Sequence, residues 1–174
     1  MTIRSATIND IPDIVKIYDG LISLEEKGSG KTGWIRGIYP TIDTAYDALK
    51  ENSLFVGFEN ETIVGSAIIN KIQPDIYKNA NWITSASDNE VMVLHTLSIS
   101  SAFSGKGYGK DFVHFYENYA LMNGCNLLRI DTNVINTPAI NLYTSLGYKN
   151  IETLSCTFNN LKNIEIVLFE KALL

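Results

Sequence analysis

The sequence predicts an α/β (α+β) chain, with strands and helices around one mixed sheet, and three observations carry that prediction. Apolar runs of strand length recur from the start of the chain to its end. Amphipathic runs with apolar residues three and four apart separate them. A glycine-dense turn, Gly105-Lys106-Gly107-Tyr108-Gly109, stands between a long apolar run and one of those helices. Each strand must bury an apolar face and each helix an apolar stripe, and layering helices on a sheet does both.

Ile3 to Thr7 reads as the first strand. Asn9 or Asp10 can cap the helix that follows, which has Pro12 in its first turn and Ile11, Ile14, Val15, Ile17 and Tyr18 at helical spacing. Glu25 to Gly33 is polar and glycine-rich, and Thr44 to Lys50 reads as a second helix. The stretch between is expected to be a mobile lobe, with Trp34, Tyr39 and Tyr46 giving it aromatic faces for anchoring or for lining an acceptor pocket. Leu54 to Phe58 and Thr62 to Ile69 read as a hairpin turning at Glu59-Asn60-Glu61, and Gln73 to Asn89 as loop. Val91 to Ile99 is a long apolar strand, and Gly109 to Ala120 is a helix carrying Phe112, Val113, Phe115, Tyr116 and Tyr119. Leu127 to Thr132 is a strand and Pro138 to Leu146 a short helix. Ile151 to Phe158 with Ile164 to Phe169 form a closing hairpin, whose edge offers a homodimer contact. No repeat or linker divides the chain, so one domain over 1–174 is expected.

Hydrophobic residues make up 45% of the chain and charged residues 19%, a balance that suits a packed soluble protein. A net charge of -5 argues against nucleic acid and anionic membrane as partners, since both favour clustered Lys and Arg. A small or cationic acceptor fits better. The opening Met1 to Thr7 is strand-like, and no run approaches ~18 uninterrupted apolar residues, so a cytoplasmic location is expected. Cys125 and Cys156 are too few and too far apart for a disulfide framework or zinc site and read as buried thiols. No His, Cys, Asp or Glu spacing suggests a metal, and His114 falls at a surface-facing or half-buried helical position.

A strand that enters closely spaced glycines and then a helix presents backbone N–H groups at the positive end of a helix dipole, an arrangement that binds phosphate. Glycines permit angles and close approach that a side chain would block. Lys106 and Lys110 can add charge. The dinucleotide fingerprint G-x-G-x-x-G fails because Lys110 stands at its third glycine. Gly30-Lys31-Thr32 imitates the end of a Walker loop, but Glu25 occupies its first glycine, so the segment reads as solvated loop. Taken alone, the 105–109 turn is equally a flexible strand-to-helix connection.

Its context resembles a known family. Leu97 to Gly109 resembles motif A of the GNAT acetyltransferases, and Asn136-Thr137-Pro138-Ala139-Ile140-Asn141-Leu142-Tyr143-Thr144-Ser145-Leu146-Gly147-Tyr148 resembles motif B of the same family. The likeness is strong from about Val91 to Lys149, and from Ile3 to Ile69 it is one of element order. It implies the GNAT fold: a mostly antiparallel sheet of six to seven strands flanked by about four helices, with a central splayed parallel pair. It also implies acetyl-CoA as cofactor and N-acetyl transfer to a primary amine of a small molecule or peptide. Ser104 departs from the pattern, which has Arg or Gln there, so pyrophosphate binding is expected to rest on the backbone of the Gly105 to Gly109 turn.

The resemblance further implies that the backbone of Leu97 and Ile99, with Ser98 between them, bonds the pantetheine arm. It implies that Asn136 meets a pantetheine amide, that Ala139 adds a cofactor contact, and that Tyr143 serves the leaving sulfur. A tyrosine with pKa near ~10 is protonated at neutral pH and can donate to a departing thiolate, which makes Tyr143 the candidate general acid. It is alternatively a core aromatic. Amine attack needs a proton acceptor. His95 and Glu90 are the candidates, and Leu94 to Ile99 is similar to the strand of arylalkylamine N-acetyltransferases in which a histidine serves a proton-removing water path. A hydrogen-bonded core histidine and a solvated strand-end glutamate are the alternatives. Two other functional classes stay open: an acyl-CoA-binding or sensing module without catalysis, and an interaction protein whose glycine turns serve packing.

Overall fold

A computed structural model describes residues 1–173. It contains β1 (Thr2–Ser5), α1 (Ile11–Glu26), α2 (Ile42–Lys50), β2 (Leu54–Glu59), β3 (Thr62–Asn70), β4 (Val91–Ile99), α3 (Tyr108–Met122), β5 (Leu127–Asn133), α4 (Thr137–Ser145), β6 (Lys149–Phe158) and β7 (Leu161–Ala172). The strands form one seven-stranded sheet in the order β1-β2-β3-β4-β5-β7-β6. β4 and β5 run parallel, and every other neighbouring pair is antiparallel. The expected fold class is therefore observed. None of the helices is long and apolar enough to cross a membrane among the described residues.

Local chemistry sets the elements. Asn60 and Glu61 both take positive φ, 47° and 64°, the backbone that a two-residue turn requires between right-twisted strands, so β2 and β3 pair as a hairpin. Thr41 precedes α2, and its hydroxyl accepts the Thr44 backbone N–H. α1 runs through Glu26, one turn beyond the apolar stripe, so Glu25 and Glu26 are helical rather than loop. β7 extends well beyond the expected Ile164 to Phe169 because it is bonded on both sides, to β5 and to β6.

Helix α3 packs on one sheet face through Phe112, Val113 and Tyr116 against Met92, Leu94, Leu128 and Ile130. Burying each of these large side chains contributes about 1.5–3 kcal/mol. Tyr116 also donates its hydroxyl to the carbonyls of Met92, 2.6 Å, and Arg129, 3.2 Å, which ties α3 to both members of the parallel pair. Helices α1 and α2 cover β2 and β3 with Ile11, Ile14, Tyr18, Ala45 and Ala48.

The parallel pair separates. Register pairing of β4 with β5 ends at Leu94 and Ile130, although β4 continues to Ile99 and β5 to Asn133. On its other side β4 pairs Ser98 with Ser66 and His95 with Ile68, so Thr96 and Leu97 together face Ala67. This extra residue, with Thr96 at φ 49°, is a bulge that bends the strand. Beyond it the β5-facing backbone of β4 has no strand partner.

The segment between α1 and α2 packs closely where a loose lobe was expected. Trp34 meets Tyr18 and Tyr39 edge-on, with ring centroids 6.0 and 6.2 Å apart, and Tyr39 shares a hydrogen bond with the Thr96 hydroxyl. Glu25 Oε1 accepts the Thr32 hydroxyl at 2.8 Å and its backbone N–H, which holds the Gly30-Lys31-Thr32 stretch in place. Cys125 is buried, but Cys156 is only half-buried because it lies on the edge strand β6.

Candidate active site

The splay of β4 from β5 opens a cleft of about 320 Å³ whose lining runs from the α3 turn to the Trp34 segment. At its α3 end, Gly105 and Gly107 take φ of 78° and 85°, and Gly107 is the N-cap residue. No side chain caps this helix, and among the described residues no acceptor meets the backbone N–H groups of residues 105–110. A Cβ built on Gly105 or Gly107 finds open space, so these positions are glycine for their backbone angles. Gly109 has an ordinary helical backbone and sits against Leu142 of α4, 3.2 Å from where its Cβ would be. A row of unengaged N–H groups at a helix N-terminus, open to a cleft, fits a pyrophosphate.

Leu97 and Ile99 line the cleft from β4, with the unpaired backbone of the splay beside them. Ser98 points the other way, buried, with its hydroxyl 2.8 Å from that of Ser66. Ser104, Tyr108 and Ala139 also line the cleft. Neither predicted lysine does: Lys106 Nζ lies 3.3 Å from Glu59 Oε2 and over the Phe103 ring, and Lys110 is exposed on α3. Asn136 lines the cleft while capping α4, since its Oδ1 accepts the Ala139 N–H at 3.3 Å and its Nδ2 donates to Thr132 Oγ1 at 3.0 Å.

Tyr143 reaches the cleft from α4 and is 4% exposed. Burial raises its pKa, and the nearby Asp131 carboxylate adds to the rise, so the phenol holds its proton throughout the neutral range. Its hydroxyl makes no hydrogen bond among the described residues and is not sealed from the cleft. His95 lines the cleft from β4; burial pulls its pKa down to about 4, so the ring is neutral at pH 7. Glu90 lies elsewhere. It is exposed at the far end of β4, where its Oε2 accepts the Ser87 N–H and hydroxyl at 2.8 and 2.7 Å. Those bonds hold its pKa low, and the local capping turn accounts for the residue.

Asp131 was missed by sequence reasoning, whereas Tyr39 stands where it was offered as a pocket-lining or anchoring aromatic. Asp131 lines the cleft from β5, one residue past the last β4–β5 pair, and its Oδ2 accepts the Tyr77 hydroxyl at 2.8 Å. Burial lifts its pKa to about 6 against the lowering effect of that bond. The available signal was the Arg129 and Asp131 alternation in an otherwise apolar strand, two charges on one sheet face that need partners. Trp34 and Tyr39 both anchor the segment and line the cleft, whereas Tyr46 does not line it and is half-buried against the core cluster under α1 and α2.

The acetyltransferase (GNAT) family profile matches residues 20–148. An uncharacterised N-acetyltransferase of Methanocaldococcus jannaschii is 24% identical over 164 residues, covering 94% of this chain and 67% of that protein. A GNAT-family acetyltransferase of Streptococcus agalactiae superposes with a TM-score of 0.79 at 20% identity, covering 98% of this chain and 94% of the other. A Salmonella typhimurium protein assigned as an acetyltransferase, solved with its cofactor acetyl-CoA, superposes with a TM-score of 0.71 at 17% identity, covering 99% and 93%. The chain belongs to the acetyltransferase (GNAT) family and is an acyltransferase that uses acetyl-CoA.

Proposed function

We propose that the chain transfers the acetyl group of acetyl-CoA to a primary amine by direct attack, with the splayed cleft holding both reactants. The observation that carries this reading is the continuity of the cleft. The unengaged N–H groups of Gly105, Gly107, Tyr108 and Gly109, the open β4 backbone at Leu97 and Ile99, Tyr143 and His95 all border one cavity. Bound there, acetyl-CoA supplies an activated thioester carbonyl.

The residues of the chain then divide the work. The α3 N-terminus and the glycine turn hold the pyrophosphate by backbone N–H groups and helix dipole, and the side chain of Ser104 contributes little charge. Asn136 keeps one Nδ2 hydrogen and one Oδ1 lone pair beyond its capping bonds and turns these to the pantetheine arm. Tyr143 presents a protonated phenol that donates to the leaving thiolate, which gains a proton as the carbon–sulfur bond breaks. His95, neutral and bonded through one nitrogen, takes the proton that the amine sheds as the new carbon–nitrogen bond forms, directly or through water. Holding both reactants in one cleft supplies the rest of the acceleration.

The test is acetyl-CoA binding by calorimetry, followed by CoA release across a panel of primary amines. Binding with amine-dependent release is expected. No binding at high micromolar cofactor rejects the reading, and binding without release from any amine favours a sensing module.

A further inference from the structure

Among the described residues the charged side chains that are fully buried are paired, whereas Asp131, which is half-buried, is not. Arg129 meets Glu170 at 3.1 Å and stacks over Trp82, and Lys171 meets Glu117 at 2.8 Å. Asp131 has no cation within ion-pair distance among the described residues and is held only by the Tyr77 hydroxyl. Its charge in turn raises the pKa of the phenols of Tyr39 and Tyr143 and of the Cys156 thiol, none of which carries a positive charge. A carboxylate half-withdrawn from water without a counter-charge is costly, and the chain places it at the wall of the cleft, where a ligand can reach it.

The rest of the lining has the same bias. Among the described residues no Lys or Arg lines the cleft, and Asp131 is its only carboxylate, so its one formal negative charge faces no positive one. The phosphate end relies on neutral N–H groups and a helix dipole. The aromatic rings of Trp34, Tyr39 and Phe158 border the same space, and ring faces attract cations and repel anions. An acceptor with a carboxylate beside its nitrogen would bring a second negative charge into this cavity with nothing to neutralise it. An ammonium ion would supply the missing partner.

We infer that Asp131 binds the ammonium group of the acceptor, and that the acceptor is an aliphatic amine with no carboxylate or phosphate beside the reacting nitrogen. This rests on the amine-acetylation reading and narrows its substrate class. No bond is made or broken in the recognition step. The amine arrives as an ammonium ion and pairs with Asp131 between the aromatic rings and the β4 bulge; it loses one proton to solvent before the neutral nitrogen attacks, and the second, shed as the carbon–nitrogen bond forms, goes to His95.

The experiment is a calorimetric titration of the protein, both free and saturated with CoA, using amines and the amino acids that differ from them only by the carboxylate. The pairs are 2-phenylethylamine with phenylalanine and 3-methylbutylamine with leucine. Each amine is expected to bind at least about tenfold more tightly than its carboxylated counterpart, the scale of one favourable charge contact replaced by an unfavourable one. Asp131→Asn, which keeps an acceptor for Tyr77, is expected to weaken amine binding by about tenfold and to bring each pair within about twofold. Asp131→Ser serves the same purpose if the Asn variant fails to fold. Equal binding of amine and amino acid, no amine binding at millimolar concentration, or an amine affinity unchanged in the Asp131 variants overturns the inference. Loss of CoA binding in the wild type would instead overturn the acetyl-transfer reading, and the titrations of the free protein would still decide the role of Asp131.

Discussion

His95 Nε2 lies 3.1 Å from Asn70 Oδ1, and the same oxygen accepts the Ile72 backbone N–H at 3.0 Å. Because that oxygen acts as an acceptor, the histidine donates through Nε2 and keeps Nδ1 free of a proton. Burial holds the ring neutral until about pH 4, so protonation of His95 does not limit the rate in the range where the enzyme is assayed. Asp131, lifted by burial to about 6, titrates first. The pH profile of kcat/KM for a simple alkylamine is therefore expected to fall on the acid side as Asp131 takes up its proton near pH 6. Asp131→Asn should remove that limb, and His95→Gln should lower kcat while leaving the limb in place. A limb that moves with His95→Gln and not with Asp131→Asn would reverse the two assignments.

The hydroxyl of Tyr143 is open to the cleft and has no hydrogen-bond partner among the described residues, while its ring is packed against Tyr148 and Phe169 with centroids 6.0 and 5.7 Å away. Tyr143→Phe keeps that packing and removes only the donor. Turnover measured as CoA release is expected to fall by about 10²-fold, the scale of a lost general acid, with acetyl-CoA affinity and thermal stability unchanged. Turnover equal to the wild type would reduce Tyr143 to a core aromatic.

Element order and most element types were legible in the sequence because they follow from periodicity and from turn chemistry. Val91 to Ile99 matches β4 residue for residue, and the 105–109 turn falls where α3 begins. The site was legible only where a local pattern encodes it. The glycines, Asn136 and Tyr143 stand in two short segments, and all border the cleft. Glu90 could not be separated from His95 by proximity in sequence, because Glu90 lies in the turn just before β4 and His95 midway along it, and only the splay decides which height is the cleft. Asp131 is brought there by the point at which β5 leaves β4, and Tyr39, legible as a candidate aromatic, is fixed there rather than elsewhere on its segment by its bond to Thr96. No run of consecutive residues carries that information.

Left-handed backbone at Gly105 and Gly107 makes a distinction within the turn. Alanine at either position meets no neighbour, so its whole cost is the strained backbone, about 1–2 kcal/mol, which the loop avoids by leaving the geometry that aims its N–H groups. Acetyl-CoA affinity is expected to drop about tenfold in Gly105→Ala and Gly107→Ala. Gly109 is helical, and its new methyl would press only the flexible end of Leu142, so Gly109→Ala should cost far less. Calorimetry on the three variants checks the order, and a Gly109→Ala loss as large as that of Gly107→Ala would show that room for the ligand, not backbone angle, dictates the glycines.

The unpaired carboxylate of Asp131 should also be visible in stability. Its ordinary pKa of 3.8 becomes about 6 in the folded chain. Below pH 3.8 both folded and unfolded states hold the proton, and the group makes no difference. As pH rises through the interval, the unfolded state releases the proton while the folded state keeps it, so folding loses stability; above about 6 the penalty is constant. A shift of this size corresponds to something on the order of 1–3 kcal/mol. Asp131→Asn removes the charge and keeps the Tyr77 bond, so the variant is expected to be more stable than the wild type at pH 8 and to lose that advantage towards pH 4. Urea unfolding at the two pH values reads the difference directly. An advantage that is the same at both, or a variant less stable at pH 8, would mean that the carboxylate is already neutralised within the fold and has no vacancy for an ammonium ion.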